Sequence, residues 1–154
     1  MVVLWCGGWE THTDLLVRAR AEGKPPKKDG ANSMWGKKSE APNIVNLRNA
    51  AFRKREETIK TPFNSRVSLD LVIYAPESEL ERMGDLDNFI TGVCDGLQGA
   101  DARAKMHEII SRESEVDPRL PLLLYTDAKV FEITAKKRES QDMGWHYKIR
   151  LNEI

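Results

Sequence analysis

Residues 67–75 read Val-Ser-Leu-Asp-Leu-Val-Ile-Tyr-Ala, and residues 85–97 read Asp-Leu-Asp-Asn-Phe-Ile-Thr-Gly-Val-Cys-Asp-Gly-Leu. In the first stretch apolar residues recur at every second position, which predicts a half-buried strand. In the second stretch apolar residues recur with the spacing of one helical face. A strand that leads into a helix is typical of a fold in which helices pack on a sheet.

The sequence on either side of this core predicts further elements. They are a strand over 2–6, a helix over 13–22, a mobile basic loop over about 23–42, a helix over 43–58 capped by Asn43, a helix from Asp101 through Ile110, a strand that begins at 122–126 and continues to 138, and a strand over 145–152. The last two strands are joined by a polar turn and predict a C-terminal β-hairpin. We therefore predict one α/β (α+β) domain over 1–154 with a mixed β-sheet packed by helices.

Size and composition exclude several classes of protein. The chain has 154 residues, which is the size of one ordinary domain, and its 40% hydrophobic content is too high for wholesale disorder. No apolar run reaches the ~18 residues of a membrane helix, so no membrane partner is expected. The 2 cysteines are too few for a disulfide framework. This scarcity of cysteines favours a reducing, cytoplasmic setting. Because the sequence has no glycine-rich phosphate loop or dinucleotide fingerprint, we expect no nucleotide cofactor.

Charge is unevenly distributed along the chain. Residues 1–60 carry 12 basic and 7 acidic side chains, whereas residues 61–127 carry 6 basic and 13 acidic ones. One interpretation is that these are solvated surfaces of different composition. The other is a basic region that holds a polyanion beside an acidic centre, which needs cations before a polyanion can approach. The counts alone leave both open.

Two aspartates fall on the first turn of the helix that begins near residue 85. Asp85 and Asp87 lie off its apolar face, where acids also cap a helix and complement its dipole. Asp127 falls at a predicted strand, and if that strand neighbours the one over 67–75, three carboxylates converge. Such a hard-oxygen site suits Mg²⁺, or Mn²⁺ in its place, and could hydrolyse a phosphodiester. At a spacing of two, Lys129 points to the same side of a strand as Asp127 and could reach the phosphate.

The run Asp-Leu-Asp-Asn-Phe at 85–89, followed by Asp-Gly-Leu at 95–97, resembles the D-L-D-N motif and helix of the RusA family of Holliday-junction resolvases. The order of the other elements is similar. The strand over 66–75 feeds the motif, the run Asp-Ala-Lys-Val at 127–130 begins the next strand, and a hairpin closes the chain. The resemblance covers about residues 43–154.

The resemblance implies a homodimeric, Mg²⁺-dependent endonuclease that cleaves four-way DNA junctions during recombination and repair. It implies that Asp85, Asp87 and Asp127 hold the metal, and we add Lys129 as a catalytic candidate. The motif also points to supporting roles for Asn88, Thr91 and Asp95. We expect the basic loop and the first long helix to contact DNA, through Lys24, Lys27, Lys28, Lys37, Lys38, Arg48, Arg53, Lys54 and Arg55.

The sequence departs from the family pattern in three places. The family has a lysine one turn after its second aspartate, where this chain has Thr91. The loop before the motif is acidic rather than basic, and an insertion of about twenty residues, near 100–120, precedes Asp127. Two alternatives to a nuclease therefore stay open. One is a structure-selective DNA-binding protein of the same fold with weak or no activity, and the other is an interaction module whose acids only cap a helix.

Overall fold

The sheet of this protein has a strand order that differs from the order along the chain. The computed structural model describes residues 15–30 and 33–154. Their helices and strands are β1 (Leu16–Glu22), α1 (Ala41–Glu57), β2 (Val67–Ala75), α2 (Leu86–Gln98), α3 (Glu108–Glu113), β3 (Val130–Glu139) and β4 (His146–Glu153). The sheet order is β1-β4-β2-β3, with β2 parallel to β3 and antiparallel to β4. The predicted class, one α/β domain with a mixed sheet packed by helices, is confirmed.

One face of the sheet forms the hydrophobic core with the helices. Leu69, Leu71 and Ile73 of β2 are fully buried, in one cluster with the apolar residues of α2 such as Val93 and Leu97. Burying a side chain of this size contributes about 1.5–3 kcal/mol, so this layer accounts for much of the stability. The residues that alternate with them face outward, on the side of the sheet that carries no described helix.

The strand predicted over 67–75 and the helix predicted over 85–97 are both present. β2 and α2 begin and end within one or two residues of the expected bounds. Inside α2, a Cβ on Gly92 would clash with the main-chain oxygen of Pro26, and a Cβ on Gly96 would lie 2.6 Å from Leu47 Cδ2. These glycines are needed because a loop and α1 approach the helix closely.

The helix predicted over 43–58 is confirmed, but it begins two residues earlier. Glu40 is the N-cap residue and Pro42 lies in the first turn, where its missing N–H removes no helical hydrogen bond. Asn43 is therefore inside the helix rather than its cap, and its side-chain amide donates to Glu40 Oε1 at 3.1 Å.

The loop over 23–42 packs on the helices. Pro25 and Pro26 are buried, and Met34 and Trp35 form a second cluster with Ile44 of α1 and Ile110 of α3. Trp35 is 5% exposed. The prediction of a mobile loop is thus wrong for its described residues. Burial of these four apolar side chains offsets the conformational entropy that is lost when the backbone is ordered.

The helix predicted over 13–22 is wrong where the structure describes it. Val17, Ala19 and Ala21 alternate with exposed residues and pair with β4 as strand β1. Alanine and arginine favour helices, but the hydrogen bonds to β4 and the buried side of the strand outweigh that local preference. The strand predicted over 2–6 lies outside the described residues.

The region after α2 differs most from prediction. The helix expected from Asp101 begins only at Glu108, as the short α3. His107 is its N-cap residue, and its Nδ1 accepts a hydrogen bond from Ile109 N. Residues 122–126 form no strand, and only an isolated bridge joins Leu124 to Phe63. Residues Asp127–Lys129 form a 3₁₀ turn before β3. The alternation of a strand therefore does not apply to Asp127 and Lys129, and it does not place their side chains on one side.

The two C-terminal strands are both present, but they do not pair with each other. β2 lies between them and bonds to β3 on one side and to β4 on the other. The prediction of a hydrogen-bonded hairpin is therefore wrong, because the apolar alternation of β2 suits the centre of the sheet and separates the two strands.

No helix within the described residues is long and apolar enough to cross a lipid bilayer.

Candidate active site

The start of α2 presents two carboxylates to solvent. Asp85 is the N-cap residue, with an extended backbone at φ −80° and ψ 141°, and Asp87 is in the first turn. The Asp85 side chain accepts no capping hydrogen bond. Among the described residues, neither carboxylate has a hydrogen bond or ion pair with a side chain or N–H group. The alternative in which these acids serve as caps thus lacks the hydrogen bond that defines a cap.

A polar stripe continues from Asp87 along the helix. Thr91 and Asp95 follow at intervals of four, so the three residues share one side of α2. The Thr91 hydroxyl donates to the main-chain oxygen of Asp87 at 2.9 Å. The RusA-family pattern has a lysine at this position. Here Thr91 is exposed and uncharged, and its hydroxyl already donates a hydrogen bond within the helix.

Lys28 lies against this stripe. Its main-chain N–H donates to Asn88 O at 3.1 Å, and its Nζ is 3.3 Å from Asp95 Oδ2. The side chain therefore extends along α2 from the level of Asn88 to that of Asp95. The sequence predicted Lys28 as a DNA contact, and its place beside the acids was missed because the contact joins segments far apart in sequence. In the sequence, Gly92 inside the helix was the signal that another segment approaches α2 closely.

Asp127 lies near the second half of α2. Its 3₁₀ turn is capped by Thr126, whose Oγ1 accepts from Ala128 N at 3.2 Å. Burial, together with the negative charges of Asp127 and Asp95, raises the pKa of the Cys94 thiol to about 12. Asp87 is two turns before Cys94, about 10 Å along the helix axis. Asp127 and Asp95 both act on Cys94, which lies in the second half of the helix. Lys129 is exposed on the same turn.

The donors fit a divalent cation at the start of α2. Within residues 15–30 and 33–154, no three side chains among His, Cys, Asp and Glu lie close enough together to form a metal site. Mg²⁺ usually binds through one or two carboxylates and completes its shell with waters and substrate phosphates. Asp85 and Asp87 supply such a pair. Asp127 as a third ligand stays a prediction.

The basic residues that were predicted to contact DNA separate into two groups. Arg48 is 0% exposed and donates to the main-chain oxygens of Gly96, Asp117 and Leu120 at 2.6, 3.0 and 2.7 Å. Burial lowers its pKa to about 10, an effect that Asp117 partly offsets. Arg55 is buried and donates to Pro121 O at 3.1 Å. The prediction that these two residues contact DNA is wrong, because both guanidinium groups hold the helical layer together.

The remaining members of the set are at least partly accessible. Arg53 pairs with Glu115, which raises the pKa of the arginine and lowers that of the glutamate. Lys27 donates to Met83 O at 3.5 Å. Lys24 lies over the Trp145 ring at 4.8 Å. Lys37 is half-buried, and Lys38 and Lys54 are exposed. DNA contacts by these residues stay predictions.

No protein-family model matches this chain. No curated protein matches it either. The assignment of a function therefore depends on the residues and geometry described above.

Proposed function

We propose that this protein is a Mg²⁺-dependent endonuclease that cleaves branched DNA, with Asp85 and Asp87 as its principal metal ligands. The observation that carries the proposal is the pair of exposed carboxylates at the start of α2, which have no described partner and form no capping hydrogen bond. Mg²⁺ is usually bound in proteins through one or two carboxylates, and both aspartates are at the start of one helix.

The helix itself supports binding of a phosphate beside the cation. α2 has 13 residues, and its first N–H groups carry the positive end of the helix dipole. The Asp85 side chain does not cap them, so they can donate to a phosphate oxygen. When bound, the ion lowers the pKa of water and offsets negative charge on the phosphodiester. The two aspartates orient the ion at the helix terminus.

Two lysines can stabilise negative charge on the substrate. Lys28 lies along α2 and is already close to Asp95, and Lys129 is exposed on the turn that carries Asp127. A fixed cation near the reacting phosphate lowers the energy of a transition state in which negative charge grows. We propose that Lys28 or Lys129 substitutes for the lysine that Thr91 replaces.

A second candidate function is DNA binding without cleavage. The observation that favours it is Thr91, which carries no charge and whose hydroxyl is bonded to Asp87 O. In this case the fold and the DNA-binding surface remain, while the charge needed in the transition state is missing.

We also propose that the protein acts as a homodimer. Within residues 15–30 and 33–154, β3 is an edge strand with one side unpaired, and two of its apolar residues are exposed, Phe131 by 56% and Ile133 by 50%. An open edge with apolar side chains can pair with another strand. Ile133→Lys should shift the particle mass in light scattering from dimer to monomer. A dimer that survives this substitution would argue against β3 as the contact.

Cleavage of a labelled four-way junction tests the proposed activity. Asp87→Asn should abolish cleavage in Mg²⁺ and leave junction binding intact or tighter, because it removes a metal ligand and a negative charge. The matched control is Glu108→Gln, which removes an acid from the first turn of α3 and should cut like the unmodified protein. Cleavage by Asp87→Asn at the unmodified rate would refute the site. Binding by the unmodified protein without cleavage in Mg²⁺ and Mn²⁺ would favour the second candidate.

A further inference from the structure

The outer face of the sheet, the face without described helices, carries a patch of basic side chains. These are Arg18 and Arg20 on β1, Lys136 and Arg138 on β3, and Lys148 and Arg150 on β4. The strand register places them in rows across the sheet. One row runs across the four strands from Arg20 on β1 to Lys148 on β4, Val72 on β2 and Lys136 on β3. We call these six residues the basic face.

This arrangement opposes folding. Arg18 lies directly opposite Arg150, and Arg20 lies opposite Lys148. Like charges in such cross-strand positions destabilise a sheet. Asp70 compensates in part by binding Arg150 Nε at 2.8 Å and Nη2 at 2.6 Å, and Glu22 by accepting from Arg20 Nε at 3.0 Å. Because the remaining repulsion has no structural benefit, the basic face indicates a partner with negative charge.

Several cations of the basic face are available to such a partner. Among the described residues, Arg18, Lys136 and Lys148 are exposed and form no ion pair. Lys148 lies over the Tyr74 ring at 5.4 Å, a contact that leaves its charge accessible. Arg18 and Lys148 also line a groove of about 460 Å³, and Lys54 of α1 borders it. The groove is therefore open to solvent and lined by more basic side chains than acidic ones, since Asp70 is its one acid among the described residues.

The dimensions of the basic face suit duplex DNA. Neighbouring strands are ~4.8 Å apart, so Arg20 and Lys136, which are three strands apart, are separated by ~14 Å. This is close to the ~12 Å width of the major groove of B-DNA, which lies between two phosphate backbones. Tyr74 is half-buried and its ring stacks on His146 with centroids 4.5 Å apart. No free aromatic surface for unpaired bases is present among the described residues of this face, which favours duplex over single-stranded DNA.

We propose that the basic face binds the phosphate backbone of a duplex DNA arm. The choice of DNA rests on the proposed function, but the location does not, because it follows from the register and the charges. It differs from the location that the sequence predicted, which was the loop over 23–42 and the helix α1.

Binding of a labelled linear duplex, measured by fluorescence anisotropy in EDTA, tests this proposal. The test variant is Arg18→Gln with Lys148→Gln. Because two phosphate contacts are lost, affinity for the duplex should fall about 30-fold at ~0.15 M salt. The slope of the logarithm of the association constant against the logarithm of the salt concentration should become less negative by about 2. The matched control, Lys105→Gln with Arg112→Gln, also removes one lysine and one arginine, but from exposed positions near α3. It should bind like the unmodified protein.

The readout separates this proposal from the proposed activity. Because EDTA prevents metal-dependent cleavage, an inactive enzyme that binds DNA through the basic face still gives the expected result. Equal losses in the test and control variants would overturn the proposal, as would an unchanged affinity of the test variant. So would an unmodified protein without duplex affinity at low salt, the result expected if the partner is an acidic protein. Unchanged circular dichroism of the test variant excludes unfolding as the cause of weaker binding.

Discussion

Arginines in the helical layer and arginines on the outer face of the sheet have opposite roles in this protein. Arg48 and Arg55 of α1 are buried and donate to main-chain oxygens of the segments that pack against that helix. Arg18 of β1 is exposed, carries no described ion pair and faces a like charge on the neighbouring strand. The comparison shows that a basic composition does not identify a binding surface. The surface depends on which side of each element the fold leaves open.

The largest expected difference between the two regions is in stability. Arg48→Ala should lower the free energy of unfolding by about 3–5 kcal/mol, because one buried and two partly buried main-chain oxygens lose their donor. Urea denaturation followed by circular dichroism measures this loss. Arg18→Ala is the control and should not lower the midpoint. Equal midpoints for the two variants would contradict the division between a structural and an exposed set of arginines.

The close packing of the helical layer gives the next prediction. Gly92→Ala should destabilise the protein by about 1–3 kcal/mol, because the added Cβ displaces the main chain at Pro26 and Lys27. Gly96→Ala should have a smaller effect, since its Cβ meets the end of the Leu47 side chain. Thermal unfolding of both variants tests the difference. A larger loss of stability for Gly96→Ala than for Gly92→Ala would show that the main chain at Pro26 and Lys27 does not pack tightly against Gly92.

On the basic face, removal of an acid should strengthen binding. Asp70→Asn frees Arg150 and removes a negative charge, so duplex affinity should increase about 5-fold at ~0.15 M salt, the value for one additional phosphate contact. The stability cost should be below about 1 kcal/mol, because the lost ion pair is partly exposed. Anisotropy titrations of this variant beside Asp142→Asn, which changes an exposed turn, provide the control. Weaker binding by Asp70→Asn would contradict the role of this face.

The smallest expected effect concerns repulsion within the basic face. Arg18→Gln should raise the free energy of unfolding by about 0.2–1 kcal/mol at low salt, because it removes the like charge opposite Arg150. In ~1 M salt, where the Debye length is about 3 Å, the gain should disappear. Denaturation at the two salt concentrations measures both values. A loss of stability at low salt would mean that Arg18 has a structural contact.

Local patterns were sufficient to predict the centre of the fold. The alternation in β2 and the helical spacing in α2 are strong because both elements bury one complete face. β1 was missed because its seven residues are mostly alanine and arginine, whose helical preference is overcome only by pairing with β4. The insertion of β2 between β3 and β4 depends on contacts between distant segments, which periodicity does not report.

The candidate site was predictable to a similar extent. Asp85 and Asp87 lie on the first turn of α2 as expected, because their positions follow from the helix itself. The contact of Lys28 with Asp95 depends on how the loop packs at Gly92, and the location of Asp127 depends on a 3₁₀ turn where a strand was predicted. The basic face carried a signal in the sequence. Lysine and arginine alternate with apolar residues in β1 and β4, but the strand order that brings these charges onto one face depends on contacts between distant segments.

The central claim is that the acids of α2 cleave DNA while the outer face of the sheet binds it. The most direct test measures bound and cleaved four-way junction in the same Mg²⁺ reaction for two variants. Asp87→Asn should bind like the unmodified protein and leave the junction intact. Arg18→Gln with Lys148→Gln should bind about 30-fold more weakly at ~0.15 M salt and recover cleavage at saturating protein concentration. Cleavage by Asp87→Asn at the unmodified rate, together with unchanged binding by the double variant, would contradict the account.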